Sequence, residues 1–481
     1  MYYERYAAMN NLRQVSRSRI HKIHFIGIGG SGMSGIAEVL HNLGYQISGS
    51  DLQQNNITDR LSKMGCKISY QHHAKNISDV QAVVISSAIS ANNPELEKAQ
   101  QLHIPVVPRA EMLAEIMRFR FGIAIAGTHG KTTTTSIIAH ILNKAELDPT
   151  YIIGGILNSN GVNAKLGASD YLIAEADESD ASFLHLQPML SVITNVDQDH
   201  METYDNNYQQ LKDTFVSFTS NLPFYGACIL CSDDQGVSDI IADIHRPVIS
   251  YGFNSKADIR AVNVKQVGMQ MHFDVVYTRD HPKYNQPFSI QLNLIGKHNI
   301  LNTLAAIGVC CELDIDIDII QSALSHFSGV ARRLDYHGQL KIQQYSLDLF
   351  DDYGHHPVEI NAIFDSLKNT YPDKRLVVIF QPHRYSRTRD LFDDFARILS
   401  QADGLILLDI YPASEDPIAQ ISSSTLAESI RKRSTLNPVV IKDAQEVLKV
   451  LPHMITQNDV LLTLGAGDIH KVPGLLKSNY G

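Results

Sequence analysis

Residues 121–135 read Phe121-Gly-Ile-Ala-Ile-Ala-Gly127-Thr-His-Gly130-Lys131-Thr-Thr-Thr-Thr135, and this stretch decides the fold class. The apolar run Phe121–Ala126 leads into a turn with two glycines, and Ile137–Leu142 continues as an apolar helical stretch. A strand, a Gly-rich turn and a helix in that order form a phosphate-binding loop. The glycines let backbone N–H groups close around an anion, Lys131 adds a point charge, and Thr132 offers a hydroxyl to Mg²⁺. The usual eight-residue form of this loop has glycine at the position of Ile125. Gly127, Thr128, His129, Gly130, Lys131, Thr132 and Thr133 are the expected contacts of a nucleoside triphosphate. A Gly-rich turn with a surface lysine is the plainer alternative.

Two neighbouring segments extend the picture. Tyr171–Ala174 reads as a strand, followed by Glu175-Ala-Asp-Glu-Ser-Asp180. Carboxylates at the carboxyl end of a parallel strand beside a phosphate loop are where Mg²⁺ is held. Glu175 comes first after the strand and is the expected ligand, with Thr132. Ser191–Thr194 reads as another strand and runs into Asn195-Val-Asp-Gln-Asp-His200, where His200 is placed to bind a second metal or a phosphoryl oxygen. A solvated acidic loop and a structural histidine are the plainer readings.

Upstream, the strand His24–Ile28 overlaps Gly27-Ile-Gly29-Gly30-Ser31-Gly32-Met33. A second strand, Gln46–Ser50, ends at Asp51, 19 residues after Gly32. The pattern satisfies a dinucleotide fingerprint. Its physics is broader than that label, because the turn offers N–H groups to any pyrophosphate and Asp51 can accept from any ribose. Further strands at Ala82–Ser86 and Pro105–Val107, with helices near Ile57–Met64 and Pro94–Leu102, make a parallel doubly wound sheet.

Downstream, Ala227–Leu230 continues the central sheet, and Ile259–Val264, Met269–Val276 and Phe288–Leu294 alternate like antiparallel strands. Helices at about 298–311 and 317–327 close this unit. Gly296-Lys-His-Asn299-Ile-Leu-Asn302 opens the first helix, and its asparagines also read as caps. Arg332-Arg333 lies at the next junction, either as a solvated linker pair or as a charge that swings toward a bound nucleotide. Strands at Ser346–Phe350, Arg375–Phe380, Gly404–Leu408, Val439–Ile441 and Val460–Leu464 then alternate with helices in a further parallel α/β sheet. Two of its strand ends carry Asp351-Asp352-Tyr-Gly-His355-His-Pro357 and Gln381-Pro-His-Arg384-Tyr-Ser-Arg387. Arg384 and Arg387 suit a carboxylate, as in a free amino acid.

The fold class is therefore α/β in three domains. These are a Rossmann-like N-terminal domain (21–120), a central P-loop ATPase domain with a mixed sheet plus antiparallel strands (121–329), and a C-terminal Rossmann-like domain (330–481). Residues 1–20 read as a frayed leader. The 481-residue length fits about three domains of ordinary size. The net charge of −10 disfavours nucleic acid and anionic membranes as partners. No run of 18 apolar residues and no secretory leader point to membrane insertion or export, so a cytoplasmic protein is expected, with any self-association no stronger than a weak homodimer. The five cysteines, including the pair Cys228 and Cys231, read as buried structural thiols in a reducing compartment.

Taken together, the strings His24–Gly35, Gly127–Thr135, Glu175–Pro188, Thr194–Tyr204, Gly296–Asn302, Asp351–Pro357 and Gln381–Asp390 resemble the Mur ligase family, in the family's order. Within it they look most like the branch that adds L-alanine to UDP-N-acetylmuramate. The resemblance implies ATP-dependent, ADP-forming amide formation in peptidoglycan synthesis, with Mg²⁺. It implies that Gly27, Gly29, Gly30, Ser31, Gly32, Met33 and Asp51 hold the UDP-sugar. Lys131 and Thr132 would cradle the ATP phosphates and one metal, Glu175 and His200 would serve the metals, and Asn299, Arg333 and Asp352 would contact or position ATP. His355, Arg384 and Arg387 would meet the amino acid. Lys131, Glu175, His200 and Arg333 are the expected catalytic set. Several relatives use a carbamylated lysine, but the matching position falls near Phe215, with Lys212 off register, so none is expected here.

Three other readings compete. A murein peptide ligase would attach a recycled tripeptide to the same sugar. An NAD-dependent dehydrogenase leaves Gly127–Thr132 without a purpose. A non-catalytic nucleotide-binding regulator would not need the acidic and histidine motifs.

Overall fold

The computed structural model describes residues 20–86, 88–118, 120–154, 163–413 and 415–481, and the expected leader lies outside them except for Ile20. The chain forms two compact units. One holds residues up to Val264, His272–Leu292 and Ile300–Ser328; the other holds Lys265–Met271, Asn293–Asn299 and Gly329–Gly481.

The first unit contains two sheets. Its five-stranded sheet runs Lys67–Ser69, Gln46–Ser50, Lys22–Ile26, Ala82–Ile85, Val106–Pro108, all parallel. Strand order reverses about Lys22–Ile26, which opens a crevice at that strand's carboxyl end. The strand stops at Ile26 rather than at Ile28, because Gly27 takes φ +76° and begins the turn. Helix Ser31–Asn42 follows and buries Met33, Ile36, Ala37, Val39 and Leu40.

The second sheet has ten strands, in the order Phe288–Leu292, Gln270–Tyr277, Ile259–Val267, Val248–Gly252, Ala227–Cys231, Leu190–Ile193, Phe121–Ala126, Tyr171–Glu175, Thr150–Ile152, Ala164–Lys165. From Val248–Gly252 to Thr150–Ile152 every pairing is parallel. Ile259–Val267 and Gln270–Tyr277 are joined by the two residues Gly268-Met269, a link only an antiparallel pair allows, with Gly268 at φ +58°. One hydrophobic core runs through both sheets, from Phe25 and Ile36 through Met112 and Ile116 to Ala124, Leu172 and Phe215. That shared core is why two sheets make a single unit. All five cysteines are buried and free. Cys228 and Cys231, three apart on one strand, face opposite sides of the sheet and form no common site.

The second unit carries a six-stranded sheet: Asp335–Ile342, Tyr345–Asp352, Asp459–Leu464, Arg375–Phe380, Gly404–Leu408, Val439–Ile441. It is not wholly parallel as expected. Asp335–Ile342 pairs antiparallel with Tyr345–Asp352 and forms an edge. Its mostly polar composition, with only Leu340 and Ile342 buried, hides it from periodicity. Strand Arg375–Phe380 is followed by two short helices, Tyr385–Asp390 and Phe392–Leu399, separated at Leu391. The strands Lys67–Ser69, Thr150–Ile152, Ala164–Lys165 and Val248–Gly252 come in addition to those expected.

Candidate active site

Phe121–Ala126 lies between Leu190–Ile193 and Tyr171–Glu175, all three parallel. Their carboxyl ends therefore bring together Gly127–Lys131, the acidic loop from Glu175, and Thr194–His200. Gly127 has φ +121°, and a Cβ there would lie 2.1 Å from Thr194 Oγ1. Gly130 has φ +83° and caps helix Lys131–Lys144; its Cβ would lie 2.5 Å from Asn302 Oδ1. Only glycine meets both demands of backbone angle and space.

The loop is braced from the neighbouring strand end. Asn195 Oδ1 accepts from His129 N (2.7 Å), and Thr194 Oγ1 and Asn195 Nδ2 donate to His129 O (2.6 and 3.0 Å). Asp197 N donates to Thr128 Oγ1 (2.9 Å), and an Asp197 carboxylate oxygen lies 3.2 Å from His129 Nε2. Thr128 and His129 thus hold the loop's shape. Thr132 and Thr133 are 8% and 7% exposed at the helix start.

Lys131 Nζ donates to Gly127 O (2.6 Å), Thr128 O (3.2 Å) and Glu178 Oε2 (2.7 Å). Burial pulls its pKa down, but the charges of Glu178 and Asp177 outweigh that and hold it above the usual lysine range. Sequence reasoning had singled out Glu175. Glu175 is the last strand residue, and its Oε1 accepts from Gly154 N (2.7 Å). Glu178, with a side chain 3% exposed, is the acid in direct contact with Lys131. His200 takes φ +53° and precedes the 3₁₀ turn Met201–Tyr204, its Nε2 3.6 Å from Asp199 Oδ2. A left-handed backbone at a non-glycine residue is uncommon and collects at functional turns. Asn302, passed over in favour of Asn299, reaches the loop: it touches Gly130 and accepts from Thr134 Oγ1 (3.3 Å).

In the five-stranded sheet, Gly27 N and Ile28 N donate to Ser50 O (2.8 and 3.0 Å), tying the glycine turn to the end of the second strand. Asp51 Oδ2 accepts from Gly29 N (2.8 Å), and a Cβ on Gly29 would lie 2.7 Å from it. Gly30 caps the helix that Ser31 begins. Met33 is 3% exposed and belongs to the core, with its Cγ 3.9 Å from where a Cβ on Gly30 would stand, so its side chain packs against the turn. Lys212 pairs with Asp239 and Phe215 is fully buried.

The second unit holds the remaining expected residues. Asp352 is 4% exposed, and its oxygens accept from Gly354 N and Leu334 N (both 2.6 Å). Burial pushes its pKa up to about 7 against the pull of Arg333. It braces the 332–334 segment. Arg332 donates to Asp351 Oδ2 (2.9 Å), while Arg333 lies over the Tyr353 ring (5.3 Å) and 3.9 Å from Glu359. Asn299 Nδ2 donates to Ile295 O (2.8 Å), tying the first turn of helix Lys297–Glu312 to the segment before it. His355 meets the rings of Tyr353 and His383 edge-on, and His383 stacks on Tyr411. Burial and the charges of Arg387 and Arg384 lower the His383 pKa to about 4. Arg384 is half-exposed at φ +69° and 3.9 Å from Glu415; Arg387 is buried.

Profiles of known families match nearly all of this chain: "Mur ligase family, catalytic domain" over residues 22–121, "Mur ligase middle domain" over 125–310, and "Mur ligase, glutamate ligase domain" over 332–467. The UDP-N-acetylmuramate–L-alanine ligase of Vesicomyosocius okutanii is 73% identical over 472 residues, 98% of this chain and 100% of the relative. That of Methylococcus capsulatus is 52% identical, covering 98% of each. Among solved structures, the UDP-N-acetylmuramate–alanine ligase of Thermotoga maritima superposes with a TM-score of 0.80 at 27% identity, over 95% of this chain and 98% of that one. A murein peptide ligase from Psychrobacter arcticus shares the fold at a TM-score of 0.71 and 23% identity, over 95% and 98%. With three profiles covering both compact units and relatives this similar along the whole length, the chain belongs to the Mur ligase family.

Proposed function

We infer that this protein is the ATP-dependent ligase that joins L-alanine to the lactyl carboxylate of UDP-N-acetylmuramate, releasing ADP and phosphate. The observation that carries this reading is the presence of two glycine-rich turns, Gly27–Gly32 and Gly127–Lys131, each at the carboxyl end of a parallel strand on a separate sheet of one compact unit. One grips a nucleotide-linked sugar and the other the triphosphate that activates it. The 73% and 52% identical relatives bear the name of this activity. The reaction belongs to the cytoplasm, where both nucleotides are found.

A carboxylate resists attack by an amine because its oxide is a poor leaving group. Transfer of the γ-phosphoryl group to the lactyl carboxylate makes an acyl phosphate, whose leaving group is phosphate. The L-alanine amine then attacks through a tetrahedral intermediate. Lys131 offsets the charge on the phosphates, and the fixed N–H groups of the loop orient them. Mg²⁺ suits the donors here, since Thr132 and Glu175 offer the hard oxygen ligands it takes; bound there, it would neutralise charge that develops on the transferred group. His200 is proposed to serve the same phosphoryl group. His355, Arg384 and Arg387 are proposed to receive the amino acid, and Arg333, placed by Asp352, to reach toward ATP.

The test is phosphate release from ATP and UDP-N-acetylmuramate with and without L-alanine. Release that requires both substrates supports the reading. Release with the tripeptide and not with L-alanine would transfer the protein to the recycling branch.

A further inference from the structure

Arg109 has no role in the reading above. It opens helix Arg109–Met117, directly after strand Val106–Pro108. Its guanidinium fills the space left open by the third glycine of the sugar turn: a Cβ on Gly32 would lie 2.9 Å from Nη1 and 3.4 Å from Cδ. The other terminal nitrogen, Nη2, donates to Asp177 Oδ2 at 3.1 Å. Asp177 lies in the acidic loop beside Lys131 and is one of the charges that raise the lysine's pKa. One side chain therefore spans from the sugar turn to the acidic loop of the ATP sheet, within a single compact unit.

We propose that Arg109 binds the diphosphate of the UDP-sugar, with Asp177 as the residue that orients its guanidinium. An arginine presents five N–H donors in a fixed fork, so engaging Asp177 through one nitrogen leaves the edge facing Gly32 available to a phosphate oxygen. The glycine turn supplies backbone N–H groups but no full positive charge of its own. Glycine at position 32 is then needed for a second reason besides the turn, because any side chain there would displace the guanidinium.

The inference rests on the placement of the UDP-sugar on the first sheet, and the experiment separates the two. UDP, uridine and ATP are titrated into the full-length protein and into Arg109→Met, Arg109→Lys, Asp177→Asn, the double variant Arg109→Met/Asp177→Asn and Asp51→Asn, with each fold checked by thermal unfolding. Arg109→Met is expected to weaken UDP at least about 10-fold, in line with loss of a charge-assisted hydrogen-bond pair. Uridine and ATP affinities should be unchanged, and Arg109→Lys should fall between. Asp177→Asn should weaken UDP several-fold, and the double variant should match Arg109→Met alone. Normal UDP binding by folded Arg109→Met, equal loss of uridine, or additive losses in the double variant would overturn the proposal. If Asp51→Asn weakens UDP but Arg109→Met does not, only this inference falls; if UDP binding ignores both, the placement of the sugar falls with it.

Discussion

The ammonium nitrogen of Lys131 stands 2.7 Å from a carboxylate oxygen of Glu178; the lysine side chain is 16% exposed and the glutamate's 3%. The lysine also donates to the carbonyl oxygens of Gly127 and Thr128, so it lies across its own loop. Without nucleotide, Glu178 is its countercharge. Removing one member of a buried pair leaves the other uncompensated, at a cost of about 3–5 kcal/mol. Glu178→Ala should therefore melt several degrees lower than the native protein, and ATP should raise its melting temperature more than it raises the native one, because the phosphates restore the missing charge. Equal ATP-induced shifts in calorimetry would refute this.

Lys131→Ala should reduce phosphate release by at least about 10³-fold, through loss of charge stabilisation in phosphoryl transfer. Affinity for UDP should stay within about twofold, because the sugar turn belongs to another sheet. A folded variant that loses both equally would contradict this separation of sites.

Gly127→Ala and Gly130→Ala place a Cβ 2.1 Å from Thr194 Oγ1 and 2.5 Å from Asn302 Oδ1, at φ +121° and +83°. Both should lose ATP binding measured by titration. Gly44→Ala has a comparable backbone angle (φ +94°) with nothing within 4 Å, so it should cost only about 1 kcal/mol of stability and leave ATP binding intact. If all three behave alike, backbone strain rather than loop packing governs the site.

Asn302→Leu removes the amide that touches Gly130 and Thr134. The KM for ATP should rise roughly 5- to 30-fold, the equivalent of about 1–2 kcal/mol for a lost buried hydrogen bond, with the KM for UDP-N-acetylmuramate unchanged. Steady-state kinetics in both substrates decides it.

Glu95 is fully buried and accepts from Ser50 Oγ at the end of strand Gln46–Ser50. Burial would raise its pKa, but His24 Nε2 at 3.6 Å and hydrogen bonds from Ser50 and Asn76 outweigh that and bring it to about 2. A carboxyl group depressed on folding adds stability that is fully present above its unfolded value and lost as pH falls toward the folded one. The stability difference between the native protein and Glu95→Gln should therefore be flat above about pH 5 and shrink by roughly 3 kcal/mol toward pH 2. Denaturant titrations at pH 7 and pH 3 would show it; a difference that grows on acidification would refute the sign.

Much of this was legible because the phosphate loop and the long apolar strands carry local signals. Phe121–Ala126, Arg375–Phe380 and Gly404–Leu408 occur with the expected bounds, since a strand buried on both faces is a continuous apolar run. Asp335–Ile342 escaped because an edge strand exposes one side and can carry charge there. Glu175 was chosen over Glu178 because spacing along a chain says which carboxylate leaves the strand first, not which one the following turn folds back onto the lysine.

By itself the sequence determined the α/β class, the order of the two glycine-rich turns along the chain and the chemistry their residues offer, because glycine angles, apolar periodicity and side-chain charge act over a few residues. Tertiary structure alone decided which acid faces Lys131, which asparagine touches Gly130, and that Arg109 spans the sugar turn and the acidic loop. Those relationships join residues dozens of positions or more apart, and only the packing of strands and helices around a common core brings such residues within hydrogen-bond reach.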